Sequence, residues 1–366
     1  MKIFFIPICA AILMLSVFAC SEKSTADSSI VAAPLADTLV YPAEKHLSNL
    51  RQLTFGGDNA EAYFSFDGDM LSFQATNEAW GAACDQIYYM PITGFEGTQP
   101  PLISTGKGRT TCAYFMPGDT AILYASTHLA ADTCPAAPRV INGKYVWAVY
   151  PTFDIFVADL KGNILRQLTN SPGYDAEATL SPDGKSIVFT SDRSGDLELY
   201  TMDINGNNVK QITNGLGYDG GAFFSHDGTK LVFRASRPST PEAVKTYKDL
   251  LGQGLVQPAE MEIFICNIDG SDLRQVTRLG GANWAPFFHP SDQKILFSSN
   301  HHSESGRQFN VFSVDLEGNN LEQITFDEAF DAFPMFSPDG KKLVFASNRH
   351  NGGTRSTNLF IGDWVE

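Results

Sequence analysis

A motif of about forty residues recurs along most of the chain, and this repetition constrains the fold more than any other property of the sequence. Residues 165–208 read LRQLTNSPGYDAEATLSPDGKSIVFTSDRSGDLELYTMDINGNN. Further copies are VKQITNGLGYDGGAFFSHDGTKLVFRAS from Val209, LRQVTRLGGANWAPFFHPSDQKILFSSN from Leu273 and LEQITFDEAFDAFPMFSPDGKKLVFASN from Leu321. An earlier copy, LRQLTFGGDNAEAYFSFDGDMLSFQATN, begins at Leu50, and a degenerate one, PLISTGKGRTTCAYFMPGDTAILYAST, at Pro101. In the third unit the pattern predicts strands A over 176–181, B over 186–191, C over 197–203 and D over 209–213. A Pro-Asp-Gly turn joins the first two and an Asn-Gly turn the last two. A four-stranded antiparallel sheet repeated six times, each copy unable to bury both faces alone, makes an all-β, six-bladed β-propeller. The repeats start on a D-type strand, 50–54, and finish on a C-type strand, Asn358–Trp364. The N-terminal strand is therefore expected to complete the last blade, which leaves no sheet edge open.

The 366 residues are 43% hydrophobic and 18% charged, enough apolar material for one large repeat domain over 49–366. The net charge of -15 argues against nucleic acid and anionic lipid headgroups, both of which need clustered Lys and Arg. The sequence starts MKIFFIPICAAILMLSVFAC, with Lys2 ahead of an apolar stretch too short for a transmembrane helix. Val17-Phe18-Ala19-Cys20 matches a bacterial lipobox, so 1–19 is expected to be a lipoprotein signal peptide and Cys20 the lipidated residue. Ser21 after it is compatible with outer-membrane sorting. Residues 20–48 are rich in Ser, Ala, Asp and Pro and are expected to form a flexible tether. The address is the bacterial cell envelope: an outer-membrane lipoprotein, monomeric, facing the periplasm or the cell surface and touching the membrane through its lipid alone.

In such a blade the A–B and C–D turns lie on one face of the disc, the B–C and D–A loops on the other. The long segments are B–C loops. One spans 129–152 and carries Tyr145, Trp147 and Tyr150. The other, 238–260, contains a predicted helix with Thr240 as cap, Pro241 in its first turn, Val244, Tyr247 and Leu251 on one face, and Gly252 at its end. Long aromatic loops on one face point to recognition there.

Aligning the blades shows what rings the centre of that face. The first A-strand position holds Asn59, Thr110, Asp175, Asp219, Asn283 and Asp331; two residues on stand Glu61, Cys112, Glu177, Gly221, Ala285 and Phe333. After strand B come Asn77, His128, Arg193, Arg237, His301 and Arg349, with His302 and His350 following two of them. Asp175, Glu177, Asp219, Asp331, Glu61, Arg193, Arg237, Arg349, Tyr145 and Trp147 are the candidate binding residues. Asp and Arg at these places are also expected to pair between blades. His128, His301 and His302 are the metal candidates, with Glu61, Glu177 or Asp175 beside them and a divalent ion as the one cofactor considered.

No G-x-S-x-G elbow, H-E-x-x-H, Walker loop or G-x-G-x-x-G occurs, so no catalytic residue is assigned. Cys84, Cys112 and Cys134 fall in the first two blades, and an oxidising compartment favours a disulfide among them, Cys84–Cys112 or Cys84–Cys134. Cys266, in EIFICNID, reads as a buried thiol.

The repeated SPDG-type units resemble those of the TolB-type, WD-repeat-like β-propeller. The resemblance covers 50–364 and implies fold more than function. A rigid disc with one elaborated face and no recognisable catalytic constellation is expected to be a binding or scaffolding lipoprotein whose partner is an envelope protein, a peptide or a glycan. Related propellers imply two alternatives: a metal-dependent lyase or hydrolase, as in oligogalacturonate lyases, or an accessory to an envelope peptidase.

Overall fold

The computed structural model describes residues 39–136 and 138–366; the expected signal peptide and the lipidation site Cys20 lie outside them. The described chain forms the six predicted blades. Blade one is Asp58–Phe64, Met70–Asn77 and Ala82–Pro91, and blade two Thr110–Phe115, Ala121–Ser126, Asp154–Asp159 and Ile164–Gln167. Blade three is Asp175–Leu180, Ser186–Ser191, Glu198–Asp203 and Lys210–Gln211, and blade four Asp219–Phe224, Lys230–Ser236, Met261–Asn267 and Arg274–Gln275. Blade five is Asn283–Phe288, Lys294–Ser299, Asn310–Asp315 and Glu322–Gln323. Blade six takes Asp331–Phe336, Lys342–Ser347 and Asn358–Trp364 from the end of the chain, and Leu47–Gln52 from its start. The two ends pair antiparallel, Leu47 opposite Trp364 and Gln52 opposite Phe360, so the ring closes as the repeat order requires.

The B strands are apolar on both faces because both faces are covered by neighbouring blades. Leu71, Ile122, Ile187, Leu231, Ile295 and Leu343 are buried, and so is the aromatic two residues later in each copy. That aromatic meets another across the sheet in every blade: Phe73–Tyr88, Tyr124–Phe156, Phe189–Tyr200, Phe233–Phe264, Phe297–Phe312 and Phe345–Phe360, with centroids 5.9–6.3 Å apart. Such pairs contribute roughly 0.5–1.5 kcal/mol each beyond the area they bury.

All six inner strands bulge at the same place. The register with strand B slips there in each blade. The extra residue adopts positive φ: Glu61 (52°), Cys112 (43°), Glu177 (56°), Gly221 (61°), Ala285 (46°) and Phe333 (58°). A bulge re-aims a side chain at the cost of local strain. These are the residues that the repeat alignment places two beyond the start of strand A.

Residues on the N-terminal side of the expected tether boundary at 48 pack against the propeller. Residues 39–46 occupy the seam between blades five and six. Tyr41 donates its hydroxyl to Asp327 (2.8 Å), Glu44 accepts from the Phe326 amide (3.0 Å), and His46 meets Glu322 (3.2 Å). Glu44 and Arg349 form a fully buried ion pair at 2.9 Å. A charged residue enters an interior only when paired, and Arg349, distant in sequence, supplies the partner for Glu44 inside an otherwise tether-like composition.

Candidate functional site

The two B–C insertions join each other. Trp147 and Ala148 from blade two pair with Val256 and Leu255 from blade four, and the Val149 amide donates to the Gly254 carbonyl at 2.7 Å. The predicted helix is Pro241–Leu251, capped by Thr240, whose Oγ1 accepts from the Ala243 amide at 3.2 Å. It buries Tyr247 and Leu250. Leu250 and Leu255 pack with Val146, an apolar contact that fixes one insertion on the other. Cys84 and Cys134 form the disulfide, which ties the blade-two insertion to strand C of blade one; Cys112 and Cys266 are free and buried.

Beneath this roof lies a cavity of about 580 Å3. Its aromatic walls include Tyr145, Trp147, Tyr150, Trp284, Phe330 and Phe333. Trp147 and Trp284 pack 5.1 Å apart, and Trp284 stacks on Phe309 at 4.4 Å while donating Nε1–H to the Pro258 carbonyl (2.9 Å). Three carboxylates and three arginines, Glu61, Asp85, Glu177, Arg109, Arg139 and Arg234, contribute polar surface.

Arg234 is the residue that the repeat alignment overlooks. The other blades place Gln74, Ala125, Thr190, Ser298 and Ala346 at its position. It stacks under Trp147 (5.2 Å to the ring centroid) and beside Tyr218 (5.4 Å), donates to the Tyr218 hydroxyl (2.8 Å) and pairs with Glu177 across the blade junction. Burial disfavours its charge, but Glu177, with Tyr218, Glu61 and Cys112, together more than offset this and hold the guanidinium protonated. Glu177 also accepts from Thr190 Oγ1 (2.7 Å), the Tyr218 hydroxyl (2.6 Å) and the Gly221 amide (3.0 Å). The room comes from Gly220-Gly221. A Cβ on Gly221 would stand 2.5 Å from Arg234 Nη1, and one on Gly220 2.4 Å from Glu177 Oε2. An arginine inside the apolar run LVFRAS, opposite a Gly-Gly in strand A, is the sequence signal for this arrangement.

The expected stapling of neighbouring blades by Asp and Arg is corrected. The pairs form inside single blades: Arg193 with Asp175 (2.8 Å), Arg237 with Asp219, and Arg349 with Asp331 (3.0 Å). Each guanidinium also lies over an aromatic of its own blade, Arg193 over Phe189 and Tyr200, Arg237 over Phe264, and Arg349 over Phe345 and Phe360. Strand A and the segment after strand B face each other across one sheet, so the intrablade partner is nearer.

His301 and His302 lie together, their ring centroids 5.6 Å apart, but His128 stands on another blade. His128 and His301 occupy the arginine slot of blades two and five, His128 tilted against Phe156 at 4.5 Å between centroids and His301 edge-on to Phe312 at 4.6 Å. Each Nδ1 meets the serine two residues before it, Ser126 (2.9 Å) or Ser299 (2.8 Å). Where the aspartate is replaced, by Thr110 or Asn283, histidine replaces the arginine, so the carboxylate and its cation disappear together. Burial pushes both imidazoles below their ordinary range, towards the neutral form. His302 is on the surface, its Nε2 3.0 Å from Asn310 Oδ1. Among the described residues, no three His, Cys, Asp or Glu side chains are placed to hold a metal ion. Of the binding candidates, Glu61, Glu177, Tyr145 and Trp147 line the cavity; Asp175, Asp219, Asp331, Arg193, Arg237 and Arg349 do not.

A ring of six bulged inner strands, closed by the N-terminal strand and roofed on one face, defines a β-propeller with a cavity under that roof. Residues 150–250 and 255–355 match the family model described as the TolB beta propeller domain, and the chain belongs to that family. It is 54% identical over 39 residues to the Tol-Pal system protein TolB of Bordetella pertussis, and equally to that of Bordetella parapertussis. That match covers 11% of this chain and 9% of either relative, so the chain spans under a tenth of the curated relatives' length. Among solved structures, TolB from Acinetobacter baumannii aligns with a TM-score of 0.52 at 19% identity, over 85% of this chain and 64% of that one. Oligogalacturonate lyase from Vibrio parahaemolyticus aligns with a TM-score of 0.50 at 10% identity, over 86% and 93%. At these identities both show the fold alone.

Proposed function

We propose that this protein is a binding module of the bacterial cell envelope, held at the membrane by lipid on Cys20, whose roofed face receives a segment of an envelope protein. The observation that carries the reading is the cavity of about 580 Å3, walled by aromatic side chains under two insertions that brace each other. Binding sites are concave, largely apolar and preformed, with a few placed polar groups. Rigid Tyr and Trp side chains supply contact area at low entropic cost. The relatives' assignment to a Tol-Pal system supports an envelope protein as partner. The lipobox-like Val17–Cys20 run supports the anchor.

The test places a photo-crosslinking amino acid at Tyr145, on the exposed part of the wall, in cells making the full chain. Irradiation is expected to give a discrete adduct with an envelope protein, lost in Trp147→Ala. Absence of an adduct at Tyr145 and at Tyr150 alike rules the reading out, and an adduct with glycan alone replaces the protein partner by a polysaccharide. Metabolic palmitate labelling, lost in Cys20→Ser, checks the anchor.

A further inference from the structure

The charged groups of the cavity are unequally partnered. Arg234 neutralises Glu177 and Arg109 neutralises Asp85. Glu61 forms no ion pair with any described residue. Its internal hydrogen bonds converge on one oxygen: Oε2 accepts both the Tyr63 hydroxyl (3.0 Å) and the Cys112 thiol (2.8 Å). Oε1 accepts from no described group, and the side chain lines the cavity. The bulge at Glu61, with φ of 52°, presents this carboxylate at the channel mouth.

A carboxylate with a free oxygen, in a cavity that Trp147, Trp284, Tyr145 and Tyr150 also line, has the composition that recognises a cation. We infer that the partner segment brings a lysine or arginine side chain into this cavity, where Glu61 Oε1 accepts its hydrogen bond and the aromatic walls enclose its stem. Aliphatic stems pack on aromatic faces while their charged ends seek a carboxylate. Burial pushes the Glu61 carboxyl up, against the Cys112 hydrogen bond, the charge of Arg234 and the Tyr63 hydrogen bond, while the charge of Glu177 adds to the rise. A ligand cation would offset that cost.

This inference rests on the proposed binding face, and its experiment separates the two. The probes are acetyl-Ala-Ala-Lys-Ala-Ala-amide and the same peptide with norleucine for lysine, titrated into the mature protein while its tryptophan fluorescence is followed. The lysine peptide is expected to bind roughly tenfold more tightly than the norleucine peptide. Glu61→Gln should abolish that preference, bringing the lysine peptide to the affinity of the norleucine peptide. Tyr63→Phe removes an internal hydrogen bond but keeps the carboxylate, and should preserve the preference. Near-ultraviolet circular dichroism confirms that each variant retains the native packing. Equal binding of the two peptides, or a preference that survives Glu61→Gln, overturns the inference. If neither peptide binds while the Tyr145 crosslink still captures a protein, the cation inference fails and the binding face stands. If the crosslink fails as well, both fall.

Discussion

Arg234 of blade four crosses the junction to Glu177 of blade three, and Gly221 leaves the space in which it lies. The pair is almost fully buried on both sides, so its effect on stability depends on whether both partners are present.

Arg234→Ala strands a buried carboxylate and should destabilise the fold by about 3–5 kcal/mol in urea unfolding. Replacing both partners, Arg234→Ala with Glu177→Ala, should cost less than the sum of the single changes. Gly221→Ala should fall by about 1–3 kcal/mol, from the clash with Arg234 and from the left-handed backbone, and Arg234→Ala should make Gly221→Ala less damaging. Additive values would show that glycine and arginine are not coupled.

Glu44→Gln leaves Arg349, whose side chain has no exposure, with Asp331 as its one remaining carboxylate partner. A loss of about 2–3 kcal/mol is expected. A chain beginning at residue 39 should melt with the full-length protein, and one beginning at 49 well below it. Equal melting of the two would mean that the seam segment contributes nothing.

Between blades three and four, burial pushes the Glu198 carboxyl up to about 8 from the ordinary 4.5, with the nearby charge of Asp219 adding to the effect and Thr213 opposing it. The folded protein therefore holds a proton that the unfolded chain has already released. The stability linked to it is complete below about pH 4.5 and is lost as pH rises through about 8, with a slope near 1.4 kcal/mol per pH unit at most. Denaturant unfolding across this window should show that decline, and Glu198→Gln should flatten it. An unchanged slope in the variant would assign the proton elsewhere.

Reduction of Cys84–Cys134, which closes a loop of 50 residues, should cost about 2–4 kcal/mol and loosen the roof. Peptide mapping should find this one linkage, with Cys112 and Cys266 alkylated only after unfolding. Alkylation of Cys134 in the native, unreduced protein would refute the pairing.

The blades were legible because the same physical demand recurs: each sheet must bury two faces, so strand B repeats an aliphatic residue followed two places on by an aromatic, and four of the six A–B turns carry Asp-Gly. Strand B over Ser186–Ser191 and the last strand, Asn358–Trp364, fall where the pattern places them. Repetition also located the bulged positions, although their positive φ does not show in the residue types, since glutamate, cysteine and phenylalanine share it with glycine. What the repeat hid was whatever departs from it. Arg234 sits in an apolar strand position, Glu44 in a stretch with tether-like composition, and the pairing of Trp147 with Val256 joins segments about a hundred residues apart. The partner of each lies far away in sequence, and a local pattern carries no record of it. The Asp–Arg pairs were found as residues and misassigned as partners for a related reason: alignment gives equivalent positions but not which sheet separates them.

The seam segment has a mechanical consequence. Residue 39 enters the structure beside Arg349, on the roofed face of the disc, before the chain runs down to the closing strand Leu47–Gln52. A pull on residue 39 meets the Tyr41–Asp327 hydrogen bond and the buried Glu44–Arg349 pair before it reaches the strand that shuts the ring. The joint at which the two ends of the ring meet thus lies behind a strain relief.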